Sequence, residues 1–257
     1  MEHRESKLPE GKKWKLVWAD EFDGDTLDMT KWSFRHHLFH RHFPAYTEEG
    51  VYVKDGCLHI GIVEKDGEYY SAQLQTGENF HDRPSGNPDW VIAPFSKPKF
   101  MHRYGYYEAR VKFQKRPFWW SAFWIQSPNT GSTSDPATSG VECDIIENFG
   151  DGQLTSGCIY GGYGKGLTNE ARIHYPYVED GEYHRIGMEW SPDGYVYYFD
   201  GKETARTTGP VSHTDQYVLL TTEIKGYRHG ITPTWTDADL ADCFVADYVR
   251  VFDAIEK

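Results

Sequence analysis

The sequence predicts an all-β chain folded as a β-sandwich or jelly roll. Short β-prone runs recur from residue 14 to residue 252. Turn dipeptides separate them, among them Asp55-Gly56, Asp66-Gly67, Asp193-Gly194 and Asp200-Gly201. No helical period is sustained over a useful length. Many short strands punctuated by Gly, Asp and Pro bury their apolar faces by stacking sheets.

In chain order the expected strands span residues 14–18, 50–53, 57–63, 104–113, 121–126, 142–148, 157–160, 184–190, 195–199, 218–223 and 244–252. The 195–199 strand and its neighbour read as a hairpin. Two irregular stretches interrupt the pattern. Residues 35–47 are rich in His, Phe and Arg, and residues 127–140 are polar and lead straight into the 142–148 run. Long loops in compact domains are usually functional, and these two predict a cleft at the rim of a sheet.

A length of 257 residues fits one domain over 1–257, with residues 1–12 as a flexible N-terminal extension. The 18 Tyr, 14 Phe and 9 Trp suit surfaces that are part apolar and part wet. A net charge of −12 argues against wholesale nucleic-acid binding. No apolar run approaches the roughly 18–20 residues that cross a bilayer. Residues 1–7 contain no apolar segment of the kind a signal peptide needs. An extracellular, periplasmic or cell-surface location is expected if such a peptide has been removed. Cys57, Cys143, Cys158 and Cys243 form no CxxC metal pattern and read as buried thiols. Cys143 and Cys158 could face each other across a hairpin. A monomer is expected.

Residues 140–148, Gly-Val-Glu-Cys-Asp-Ile-Ile-Glu-Asn, set three carboxylates into an apolar run. Strand alternation puts Glu142 and Asp144 on one face and leaves Glu147 with the wrong parity. One extra residue bulged out near Ile145-Ile146 restores it, and bulges often sit beside active sites. Three like charges on one face repel one another, so a purely structural role is a poor explanation. Glycoside hydrolysis needs a pair of carboxyl groups flanking the scissile bond. The Glu142 and Glu147 Cα atoms are expected roughly 13 Å apart, which side chains can close toward either a retaining or an inverting separation. The charge of Asp144 should raise the pKa of a neighbouring Glu and help it serve as general acid.

The Glu142-x-Asp144-x-x-Glu147 segment resembles the E-x-D-x-x-E signature of glycoside hydrolase family 16. Flanking motifs resemble that family in the same order. They are Val17-Trp18-Ala19-Asp20-Glu21-Phe22-Asp23-Gly24 with Leu27-Asp28 and Trp32, residues 104–112, Trp120-Ser121-Ala122-Phe123-Trp124, Tyr183-His184, Trp190 with Asp200-Gly201, and residues 247–252. The resemblance implies a concanavalin A-like jelly roll with a concave substrate cleft. It implies a retaining, endo-acting β-glycosidase without an organic cofactor. Glu142 matches the nucleophile, Asp144 the assisting carboxylate and Glu147 the acid/base. Transglycosylation on the same glycans, or a lectin-like protein that binds without cleaving, are the alternative readings.

Trp124 and Trp120 share a face and are expected to stack on sugars, while Trp119 points the other way. In residues 71–76, Gln73 and Gln75 share a face and could hydrogen-bond sugar hydroxyls. In the β-1,3-glucanase branch of the family an Arg commonly stands at the position of Gln73. A Trp often found shortly before the first catalytic Glu is missing from residues 136–141. Glu223 lies where some β-glucanases carry a cleft Asn and Trp. Tyr160 is expected to line the cleft from the strand after the catalytic one. Arg35, His36 and Arg41 belong to a His/Arg-rich run, residues 35–43, that reads either as a basic wall facing anionic sugars or as a polar loop. These departures tilt the expected substrate from a β-1,3-type glucan toward a red-algal type galactan such as agar, porphyran or carrageenan. The resemblance further implies a structural Ca²⁺ held by Asp247 and by backbone carbonyls near Glu21 and Gly56.

Overall fold

The structure is a computed structural model and describes residues 4–35, 47–77, 97–162, 166, 168–225, 231 and 233–255. Its first eight strands are β1 (Lys13–Asp20), β2 (Ser33–Phe34), β3 (Val51–Lys54), β4 (Cys57–Ile60), β5 (Val63–Lys65), β6 (Glu68–Tyr70), β7 (Gln73–Gln75) and β8 (Gly105–Lys112). β9 (Trp119–Gln126), the one-turn helix α1 (Pro136–Ser139), β10 (Glu142–Asn148), β11 (Gln153–Tyr160) and β12 (Asn169–Pro176) follow. The chain continues through β13 (His184–Ser191), β14 (Gly194–Phe199), β15 (Lys202–Thr207), β16 (Tyr217–Ile224), the one-turn helix α2 (Asp237–Leu240) and β17 (Phe244–Ile255).

The strands form two large antiparallel sheets, as expected for the jelly roll. One runs β12-β11-β10-β9-β16-β7-β2, and the other β15-β14-β13-β8-β17-β4-β3 with β1 added against β17. Three of the four Asp-Gly pairs form the turn as read from the sequence, while Gly194 is the first residue of β14, paired with Ser191, so that Pro192 and Asp193 make that turn. Asp55 and Gly56 have φ of 54° and 71°, and Asp200 and Gly201 have 50° and 79°. Two successive positive φ values make the tight turn whose twist matches a hairpin.

Alternation sorts each strand between layers. In β9, Phe123 and Ile125 enter the core between the sheets, and Trp120, Ala122, Trp124 and Gln126 face outward. In β16, Val218 and Leu220 enter the core while Thr221 and Glu223 face the other way. Trp119 is fully buried in a satellite cluster with Ile62, Tyr69 and Ile224. Cys143 and Cys158 stand opposite each other across β10 and β11 as free, buried thiols.

Residues 4–7, within the stretch expected as a flexible extension, lie bonded across β8, β13 and β17. The Lys7 amide donates to Glu108 Oε2 at 2.8 Å, and Arg185 Nε donates to the Glu5 carbonyl at 2.7 Å. Arg250 donates to the Arg4 carbonyl and to Ser6 Oγ at 2.7 and 2.9 Å. Among the described residues, no helix is long and apolar enough to cross a membrane.

Candidate active site

The free face of the β10-bearing sheet lines a cleft of about 560 Å³. The register of β10 against β9 explains how the carboxylates reach it. Glu142 pairs with Gln126 and Asp144 with Trp124, but Ile146 pairs with Phe123 and Glu147 with Ala122. Ile145 is therefore the extra residue, at the bulge the parity argument requires. Glu142, Asp144 and Glu147 all line the cleft, while Cys143, Ile145 and Ile146 fill the core behind them.

Glu147 is held from two sides. Trp120 Nε1 donates to its Oε1 at 3.0 Å, and Arg172 Nη1 donates to its Oε2 at 3.0 Å. Burial pushes the Glu147 carboxyl up to about 7, against the opposing pull of Arg172, with the Glu142 charge adding to the rise. Asp144 is driven well above the usual carboxylate range by burial first, then by the charges of Glu147 and Glu142. A buried acid with a pKa near neutrality can hold a proton to give and later take one back.

Arg172 is the main residue that sequence reading missed. It lies on β12, opposite Gly157 of β11, which in turn stands opposite Asp144 of β10. With no side chain at Gly157, the guanidinium can cross that strand to lie 3.8 Å from Asp144 Oδ2 and 3.0 Å from Glu147 Oε2. An added Cβ at Gly157 would meet the Ala171 carbonyl at 2.2 Å, so the position admits only glycine. Gln126, Thr221, Ile159 and Glu170 also line the cleft without having been singled out.

The remaining expected residues divide. Trp120 and Trp124 both line the cleft. Trp124 Nε1 donates to Thr221 Oγ1 at 3.0 Å, and the Arg35 guanidinium lies 5.2 Å from the centre of its ring. Gln73 and Glu223 pair on the cleft floor, Nε2 to Oε1, at 2.9 Å. Gln75 is displaced from this set. It shares the face of Gln73 but lies beside Leu219 and Ser33, is 1% exposed and does not line the cleft. Tyr160 is a correction as well. Ile159 is the residue paired with Glu142, so alternation sends Tyr160 to the opposite face, where it packs on the core. His36 and Arg41 lie outside the described residues. Asp247 is not open to a metal, because its carboxylate accepts from Arg4 and Arg110 at 2.7 and 2.6 Å. Among the described residues, no group of three or more His, Cys, Asp or Glu is arranged to hold a metal ion.

Crowding acids in this way costs stability. Asp144 binds its proton more tightly folded than unfolded, so stability falls as pH rises above the unfolded carboxylate range near 4. Asp144→Asn removes that loss. The variant is expected to match the parent near pH 4 and to melt at a higher temperature than the parent at pH 8. Thermal melts at the two pH values test this; equal Tm at pH 8 would refute it.

A sequence model described as "Glycosyl hydrolases family 16" matches residues 71–229. Glucan endo-1,3-beta-glucosidase A1 of Niallia circulans is 26% identical over 269 residues, covering 92% of this chain and 37% of that protein. Beta-porphyranase E of Zobellia galactanivorans is 27% identical over 274 residues, covering 95% of this chain and 89% of its own. The chain spans 18% of a third relative, the xylanase/beta-glucanase of Ruminococcus flavefaciens, so some of its relatives are much longer proteins. The endo-beta-1,3-glucanase structure from Pyrococcus furiosus superposes with a TM-score of 0.74 at 24% identity, covering 97% of this chain and 98% of that one.

Proposed function

Because the chain belongs to the glycosyl hydrolases of family 16, whose model matches residues 71–229, we propose that it is an endo-acting, retaining β-glycosidase of a polysaccharide. The observation that carries the reading is the Ile145 bulge, which brings Glu142, Asp144 and Glu147 onto one cleft wall beside Trp120. Relatives named as endo-acting glucanases and as porphyranases support cleavage within a β-glucan or a galactan. The chemistry calls for no organic cofactor.

In the proposed double displacement Glu142 attacks the anomeric carbon. Glu147, protonated near neutrality, gives its proton to the leaving glycosidic oxygen. The aglycone departs and water takes its place. Glu147, now a carboxylate, accepts a proton from that water, which attacks the glycosyl ester and frees Glu142. Asp144 stands between the two. Its raised pKa favours the protonated form, which adds no further negative charge beside the nucleophile.

The charge of the cleft sharpens the substrate. Its described lining carries the carboxyl groups of Glu142, Asp144, Glu147, Glu170 and Glu223 and the guanidiniums of Arg35 and Arg172; with Asp144 and Glu147 favouring the protonated form, Glu142, Glu170 and Glu223 supply the negative charge. Arg172 is already paired with Glu147. Repulsion in this setting disfavours a sulfated sugar at the centre of the cleft, so an uncharged stretch of glucan or galactan is the proposed substrate there. A reducing-end assay on laminarin, lichenan, agarose, porphyran and κ-carrageenan tests it. Release from an uncharged polymer with little from κ-carrageenan is expected. Preferential cleavage of the sulfated polymer would reject the uncharged-substrate reading. NMR of the first product should show the β-anomer; an α-anomer would reject the double displacement.

A further inference from the structure

The β17-bearing sheet holds an ion-like cage with a side chain inside it. Asp247 sits at a second bulge, where β17 slips against β8 between Ala246 and Tyr248. Its carbonyl and carboxylate converge with the carbonyls of Glu21 and Gly56 on one atom, Arg4 Nη2. That nitrogen lies 2.6 Å from the Gly56 oxygen, 3.0 Å from the Asp247 carbonyl, 3.1 Å from the Glu21 carbonyl and 2.6 Å from Asp247 Oδ1. A guanidinium Nη bears two protons, yet four oxygens surround it. Carbonyls plus a carboxylate are the shell a hard cation such as Ca²⁺ selects.

The donors therefore suit an ion, but Arg4 leaves it no room. A Ca²⁺ would need about 2.3–2.6 Å to the same oxygens, which is the space Nη2 fills. The rest of the side chain is fixed too. Nε donates to Asp247 Oδ1 at 2.7 Å and Nη1 to Asp23 Oδ1 at 2.9 Å. Arg110 Nη1 takes Asp247 Oδ2 at 2.6 Å. Asp247 thus faces two guanidiniums, and its single negative charge is already balanced. Arg4 comes from a segment anchored nearby through Glu5, Ser6 and Lys7.

We propose that Arg4 is a tethered cation that takes the place of a metal ion in this cage. The fold then needs no Ca²⁺, and the N-terminal segment ties β17 to the loops before β2 and β4 in its stead. This inference does not rest on the hydrolase reading, and its test uses melting and calorimetry. Wild-type protein treated with a chelator is expected to melt at the same temperature in excess EDTA and in excess CaCl₂, with no heat of Ca²⁺ binding. Arg4→Ala is expected to melt several degrees lower. CaCl₂ should recover part of that loss by entering the opened cage, while NaCl at equal ionic strength should not. Wild-type protein that EDTA destabilises would overturn the proposal. So would an Arg4→Ala variant that melts like wild type or ignores CaCl₂. If Arg4→Ala does not fold, the wild-type comparison decides alone.

Discussion

Replacing Glu142 with Ala is expected to lower hydrolysis of every substrate by about 10⁴-fold, equivalent to about 5.5 kcal/mol of transition-state stabilisation. The loss follows from removing the only atom proposed to bond the anomeric carbon. Glu147→Ala should cost a similar factor on a polysaccharide, whose alkoxide leaves poorly without a proton. It should behave differently on an aryl glycoside with an acidic phenol. There the leaving group needs no acid, so the first step survives. The second step lacks its base, and a glycosyl-enzyme accumulates as a burst of phenol. Stopped-flow release with both variants separates the roles. A burst from Glu142→Ala, or none from Glu147→Ala, would contradict the assignment. Both variants remove a buried or partly buried carboxylate from a repelling group, so neither is expected to unfold the protein.

The second large effect concerns Arg172. The Glu147 carboxyl stands at about 7, raised by burial and held down by Arg172 at 3.0 Å. Only its protonated form can act as the acid, so kcat/KM should fall as pH rises through that value. Arg172→Met removes the downward pull, leaving burial and Glu142 to act. The alkaline limb is then expected to move up by about 1 pH unit, so the variant retains a greater share of its maximum above pH 7. Trp120→Phe removes the other bond that favours the charged form and should move the limb the same way. Arg172→Lys keeps the charge without the fork and should move it less. Profiles of kcat/KM against pH measure this. A uniformly lower profile with an unmoved limb would mean that Arg172 serves packing alone.

What could be read from the chain without its structure depended on how local the signal was. The carboxylate strand was legible because alternation, and its failure at Glu147, are written within six residues, 142–147. The Asp-Gly hairpins were legible for the same reason. Tyr160 went astray because a strand's own alternation has two phases. Only pairing with β10, Ile159 opposite Glu142, chooses between them. Gln75 has the face expected of it, but its exposure is set by neighbours on β16 and β2. Arg172 was hidden because β12 is an edge strand with mixed exposure, and its role needs Gly157 and Asp144 in register beside it. The signal that could have found it was the lone glycine in residues 153–160, since a strand glycine marks close approach. Arg4 lies in a stretch with no periodicity, and all its partners are distant in sequence.

The bulge at Ile145 has a consequence for how this chain can change over time. It is a phase step in the strand's reading frame. Before it, even-numbered residues face the cleft; after it, Glu147 does. Loss of Ile145 would return the strand to strict alternation, Glu-x-Asp-x-Glu, with all three carboxyls still on the cleft face, whereas flattening the bulge at the present length would turn Glu147 into the core. The segment from Glu142 to Glu147 can therefore be one residue shorter without losing its row of carboxyls, provided the bulge goes with the residue; at its present length it depends on the bulge being kept.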